Sequence, residues 1–275
     1  MPDPGRIAGA DVHPTARVHP GAELAGGVVV GPYAVIEADV VIGEGTVVGP
    51  HSVIHAHVTL GRRNRLAAHV VIGGRPQDRA YRGEPTRIVI GDDNLFSEFS
   101  SVDRATGEGH QTRIGNSAYI MSFAKVSHNC NIGDGANIVS GVQLGGWVHV
   151  GAHAYVGGLV GVHQFVHIGR LAMIAGMTGV AQDVPPYIMV AGFRGRAVGL
   201  NTVGLRRHGA SAADRQALQR AFKTFFMSGL PLAAAIEQLD AQAQESPYVL
   251  EFVNFIRAAR ARNRGIVRWQ SETEL

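Results

Sequence analysis

The chain is poor in the residues that build an ordinary globular core. Aromatic residues make up 7% of its 275 positions, which excludes a ring-filled interior and suits a narrow one. Its single cysteine, Cys130, excludes an intrachain disulfide and is compatible with a reducing compartment. No run of roughly 18 apolar residues exists, which excludes a membrane-spanning helix. The opening stretch, MPDPGRIAGADVHP, has no apolar signal core. Lys and Arg form no stripe interleaved with aromatics, which argues against nucleic acid as a partner. The net charge of +3 permits an acidic partner such as a phosphorylated substrate or an acidic carrier protein. We expect a soluble, cytoplasmic protein.

What the chain does have is a period of six. Small aliphatic residues recur from Val12, Val18 and Leu24 through Ile72, again at Ile90, Phe96 and Val102, and from Ile114 to Val180. All fall on multiples of six, so the two interruptions are whole repeats. This spacing fits neither a helix nor a two-faced sheet. It fits a hexapeptide β-solenoid, in which each repeat is a short strand and a turn, and the aliphatic residue stacks inside. Glycine often follows that residue, as at Gly43, Gly49 and Gly61, and is expected to supply the turn conformation.

The interruptions, Gly74 to Ile88 and Ala105 to Gln111, are polar and are expected to leave the solenoid as loops. The period ends at Val180, and Pro185 and Pro186 are expected to stop the coil. Beyond, Ser211 and Asp214 read as a capping box, followed by Leu218, Ala221, Phe222, Phe225 and Phe226 at helical spacing. A second helix is expected from Leu232 to about Gln244. A third is opened by Pro247, and a frayed tail runs from Arg260. We expect a β-helix over residues 1–195 and a helical cap over 196–275.

Several strings go beyond a generic hexapeptide protein: Gln77-Asp78 followed by Gly83-Glu84-Pro85-Thr86-Arg87, Val162-His163-Gln164-Phe165, Gly179 through Tyr187, and Asn201 leading to Gly204-Leu205-Arg206-Arg207. With these, nearly the whole chain resembles the UDP-N-acetylglucosamine O-acyltransferases that begin lipid A biosynthesis. The resemblance implies an all-β left-handed parallel β-helix with a C-terminal α-helical domain, assembled as a homotrimer with sites between subunits. It implies transfer of a 3-hydroxyacyl chain from acyl carrier protein to a UDP-amino sugar, with no metal, no other cofactor and no covalent enzyme intermediate. By position it makes His128 the general base and the Gly146 N–H the oxyanion donor. An imidazole suits the first task because its ordinary pKa lies near neutrality. A fixed N–H suits the second. Gln77 and Asp78 match sugar contacts, and His163 and Gln164 match cleft residues. Asn201 and Arg207 match nucleotide contacts, and Gly176 matches a position that limits acyl length. The glycine leans toward a longer chain.

The chain also departs from that pattern. Asn129 stands where the family carries an aspartate beside the base, and Lys125 where it carries a second histidine. Asp103 and Trp147 also replace histidines, Ala80 a lysine and Val203 a glutamate. Asn129 can orient an imidazole but cannot stabilise its cation by charge, so a weaker base is expected. These changes keep open a different nucleotide-sugar acceptor or a non-catalytic binding trimer. Taken without the resemblance, Asp78 reads equally as a turn residue, Arg206-Arg207 as a solvated pair, Cys130 as a small buried hydrophobe, and His149, His153 and His167 as residues of solvated faces. A γ-type carbonic anhydrase would need histidines converging on one cleft, which the pairs His163/His167 and His149/His153 lack.

Overall fold

The structure, a computed structural model, describes residues 9–262 and 264–270; most of the expected signal-free N-terminal stretch lies outside them. From Asp11 onward the chain winds as a left-handed parallel β-helix of triangular section. Successive two-residue strands fall in turn on three parallel sheets, beginning with Asp11–Val12, Arg17–Val18 and Glu23–Leu24. Partners lie eighteen residues apart, Asp11 on Val29 and Val12 on Val30, so one coil is three hexapeptides. The second residue of each strand points inward, and Ile36, Ile54, Ile72, Val102, Val126 and Leu144 are buried one above another. The two interruptions leave this register intact: Ile72 still pairs with Val102, and Val102 with Val126.

The glycine expectation is half right. Gly73 apart, at φ +94°, the glycines after the inward aliphatic residue do not adopt left-handed backbone. That conformation falls two residues later, at most corners, and mostly on non-glycines: Tyr33, His51, Asn129, Trp147 and Phe165 all have φ between 55° and 67°. The glycine is demanded by sterics instead. A Cβ on Gly43 would lie 2.5 Å from the Gly61 carbonyl carbon of the next coil, and one on Gly49 would lie 2.5 Å from the Ala67 oxygen. The corner residues project outward and stack along the edge. Tyr33, His51, His69, Phe99 and Phe123 form one ladder with ring centroids 4.9–5.1 Å apart, the spacing of the coils themselves.

The coil does not stop at the prolines. Val184 bridges to Ile168, and Ile188–Ala191 pairs in parallel with Met173–Ile174, on a shortened sixteen-residue step. The strand Arg196–Leu200 then turns back antiparallel on it, so it extends the first sheet. Among the described residues four α-helices follow: α1 (Thr202–Arg207), not expected from the sequence, α2 (Ala212–Phe226), α3 (Leu232–Gln242) and α4 (Pro247–Arg262). The Ser211/Asp214 capping box forms as expected. Phe222 is buried among Phe226, Trp269 and the rest of the core, a packing role. Arg170, Tyr187 and Glu251 bond one another and tie α4 to the last coils, and Arg262 pairs with the buried Asp183 at 2.9 Å. Over its described residues the tail does not fray as expected; the part of that expectation beyond residue 270 lies outside them. Residues 264–270 return to the solenoid, because the Gly265 carbonyl and the Val267 N–H bond the backbone of Asp183. Among the described residues no helix is long and apolar enough to cross a membrane.

If close approach is what requires glycine, Gly43→Ala should lower stability by about 1–3 kcal/mol, as overpacking does. Gly26→Ala, whose Cβ would meet nothing within 4 Å, should stay within about 0.5 kcal/mol of the parent. Denaturant midpoints compare the two.

Candidate functional site

Eighteen-residue stacking assembles the site. The corner between the second and third sheets carries His128, Gly146 and Gln164 on consecutive coils, with Asn129, Trp147 and Phe165 beside them. His128 is 8% exposed, and its Nδ1 lies 2.8 Å from Asn129 Oδ1. Which atom of that amide faces the ring is settled by Thr106. Its N–H donates to Asn129 Oδ1 at 2.9 Å and its carbonyl accepts from Asn129 Nδ2 at 3.0 Å. The oxygen therefore faces His128. Since a carbonyl only accepts, Nδ1 carries the hydrogen and Nε2 holds the lone pair. Thr106 belongs to the second excursion, which leans on the first because Glu84 accepts from Gly107 N–H at 2.7 Å. That bond is the largest reason the Glu84 carboxyl lies below its ordinary value.

The lone-pair edge of His128 lies against Gly146. A Cβ there would stand 2.4 Å from both Cε1 and Nε2 of the ring. Among the described residues no oxygen accepts the Gly146 N–H. An imidazole edge and an unbonded backbone N–H therefore adjoin. Lys125, on the second sheet, does not act as a free cation: its Nζ is 2.9 and 2.8 Å from the oxygens of Asp103, which is 5% exposed. Burial pushes the Asp103 carboxyl above its ordinary value, and Lys125 opposes this. Two departures from the family's histidines thus form one pair.

Beside this corner a groove of about 830 Å³ runs over the second sheet. Gln77, Lys125 and His163 line it, together with Phe193, Arg194 and Arg196 from the terminal hairpin. Phe193, 88% exposed, was not anticipated; only its place at the hairpin tip marks it. Gln164 is exposed at the corner just described. Asp78 makes a turn, accepting from Ala80 N–H at 2.9 Å, while adjoining the groove-lining Gln77. Asn201 and Arg207 are not brought to this groove. Asn201 caps α1, accepting from Gly204 N–H at 2.9 Å, and its Nδ2 donates to the Leu171 carbonyl at the corner between the third and first sheets. Arg207 is exposed in the last turn of α1. Gly176 lies at the corner between the first and second sheets, where a Cβ would approach only the Gly158 backbone, its oxygen at 3.3 Å. Cys130 is fully buried and its thiol is pushed up to about 12, chiefly by burial. His149 and His153 are exposed. His167 is half-buried, stacks on His149 at 4.6 Å and is pushed down to about 4, first by burial and then by Arg262. Among the described residues no three His, Cys, Asp or Glu side chains are grouped to hold a metal.

Known proteins agree with this architecture. Residues 183–267 match the family model described as UDP N-acetylglucosamine O-acyltransferase, domain 2, and residues 39–74 and 111–146 match the bacterial transferase hexapeptide model. An acyl-carrier-protein-dependent UDP-N-acetylglucosamine O-acyltransferase of Xanthomonas oryzae is 45% identical over 90% of this chain and 95% of its own length. One from Anaeromyxobacter dehalogenans is 45% identical over 94% and 99%. The UDP-N-acetylglucosamine acyltransferase structure from Francisella novicida superposes with a TM-score of 0.91 at 34% identity, covering 96% of each chain. That from Campylobacter jejuni gives 0.88 at 33%, covering 94% of this chain and 100% of its own.

Two substitutions probe the geometry. Gly146→Ala should leave the fold standing, because the group it strikes is a movable ring, yet lower turnover roughly 10- to 100-fold by displacing the imidazole. Lys125→Met should cost about 3 kcal/mol by leaving Asp103 buried and unpaired. The penalty falls on the ionised carboxyl, whose folded pKa is already raised. It should therefore be full near neutral pH and shrink as pH falls and Asp103 protonates, which urea midpoints at about pH 8 and about pH 5 would read.

Proposed function

The chain belongs to the acyl-carrier-protein-dependent UDP-N-acetylglucosamine O-acyltransferases, the enzymes of the first step of lipid A biosynthesis, and from that membership we propose how its corner and groove perform the transfer. The observation that carries the reading is the pinned tautomer of His128, with a bare Nε2 beside the open Gly146 N–H. The sugar 3-hydroxyl gives its proton to Nε2 as its oxygen attacks the thioester carbon of a 3-hydroxyacyl carrier protein. The carbonyl oxygen becomes an oxyanion and takes the Gly146 N–H. Collapse breaks the C–S bond, and the imidazolium returns the proton to the departing thiolate. Asn129 holds the ring and its tautomer without adding charge. The chemistry needs no metal or prosthetic group.

Gln77 and Asp78 hold the sugar, with His163 in the same groove and Gln164 at the corner beside it. Asn201 and Arg207 sit on the prism edge opposite the second sheet, so they serve a neighbouring subunit's groove. This supports a homotrimer. Arg194 and Arg196 are cations suited to the acidic carrier, and the open space at Gly176 admits the acyl chain. The protein works in the cytoplasm, where its carrier is found.

Mass spectrometry of reactions with UDP-N-acetylglucosamine and 3-hydroxyacyl carrier proteins of several lengths tests the scheme. The parent should form acylated sugar, and His128→Ala should lose about 10²- to 10⁴-fold in kcat with KM nearly unchanged. Absence of product from the assembled parent protein would overturn the assignment of acceptor or activity.

A further inference from the structure

The returning tail reaches the groove. Asp183 N–H donates to the Gly265 carbonyl at 2.9 Å and Val267 N–H to the Asp183 carbonyl at 3.0 Å; Ala197 N–H then donates to the Arg268 carbonyl at 2.8 Å. Val267 is buried and Trp269 packs on Phe222, so the segment is anchored along its length. Gly265, at φ +79°, runs so close that a Cβ would lie 2.8 Å from Nε2 of Gln182, a groove-lining residue. This path brings the Arg264 guanidinium onto Nδ1 of His163.

His163 Nδ1 has two neighbours that demand opposite things. The Gln164 carbonyl oxygen, 3.1 Å away, can only accept and would require a hydrogen on Nδ1. The guanidinium can only donate and does not lose its proton, so it requires a bare Nδ1. Among the described residues nothing bonds Nε2, and His163 lines the groove. We propose that Arg264 is a positioning residue that fixes His163 in the Nε2–H tautomer, so that the groove is offered a hydrogen-bond donor for a substrate oxygen. Without Arg264 the Gln164 carbonyl captures Nδ1–H, and the groove meets a lone pair instead. The arrangement is the reverse of His128, where Asn129 keeps the hydrogen on Nδ1. The oxygen recognised belongs either to the diphosphate of the nucleotide sugar or to the acyl-carrier donor. This inference rests on the acyl-transfer reading of the groove.

Long-range ¹H–¹⁵N spectra of the intact protein with ¹⁵N-labelled histidine test it directly, His163 being identified among the 13 histidines by its absence in His163→Ala. The parent should show Nε2–H at His163 and Arg264→Ala should show Nδ1–H; Nδ1–H in the parent overturns the proposal. Steady-state kinetics supply the second readout. Arg264→Ala should raise KM about tenfold for one of the two substrates, which identifies the source of the oxygen, with kcat within about threefold. The double variant with His163→Ala should be no worse than His163→Ala alone within about twofold, whereas multiplicative losses would mean that Arg264 does not act through His163. A parent protein without transferase activity would sink the functional reading and leave the tautomer result standing by itself, so the two failures are distinguishable.

Discussion

The ladder between successive coils is the constraint on which everything else depends. Parallel backbone pairing at about 4.8 Å and an eighteen-residue step place the same position of each repeat in one column. A column is therefore a chemical address. One holds His128, Gly146 and Gln164; the next holds Asn129, Trp147 and Phe165. Aligning an imidazole over a backbone N–H needs no special loop here, because the two residues are one coil apart on a corner the fold already makes rigid. The same spacing forbids a Cβ at Gly43 and Gly49 and sets one at Gly146 against the His128 ring. At the first two positions the glycine protects the coil, and at the third it makes room for an imidazole.

Departures from the ladder supply what the ladder cannot. The two excursions touch each other through Glu84 and Gly107, and the second then holds Asn129 through both backbone groups of Thr106. That chain of neutral and charge-assisted bonds decides which face of an amide meets His128. It also explains how His128 stays oriented when its partner is an amide. The amide has lost the charge and kept the acceptor, and the excursion prevents it from flipping. Asp103 and Lys125 make a similar compensation, since two departures that look disruptive singly become one buried ion pair together.

At the other end the helices bind the last coils through polar contacts from α4: Glu251 to Arg170 and Tyr187, and Arg262 to Asp183. Asp183 meets both, its carboxylate pairing with Arg262 and its backbone bonding the returning tail. The helical cap thereby contributes to the groove as well as closing an open β-edge.

The period of six by itself determined the solenoid, its inward column and the whole-repeat interruptions, because each depends on spacing along the chain and on little else. The capping box at Ser211 and the helices from Leu232 and Pro247 were equally legible, being local signals. The motif strings at Gln77, His163 and Asn201 carried the family, and the position of His128 followed from it. Only the tertiary structure decided the rest. The glycine after each aliphatic residue reads as a turn residue in sequence, yet its role is set by an atom eighteen positions away. The prolines at 185 and 186 read as a stop, but a shortened coil accommodates them. The polar tail reads as frayed, because the groups that hold it, Asp183 and Ala197, lie far behind it in sequence. The tautomers of His128 and His163 likewise rest on Thr106 and Arg264. Sequence alone encodes neither contact as a pattern, because each is made by a segment that leaves the repeat and comes back.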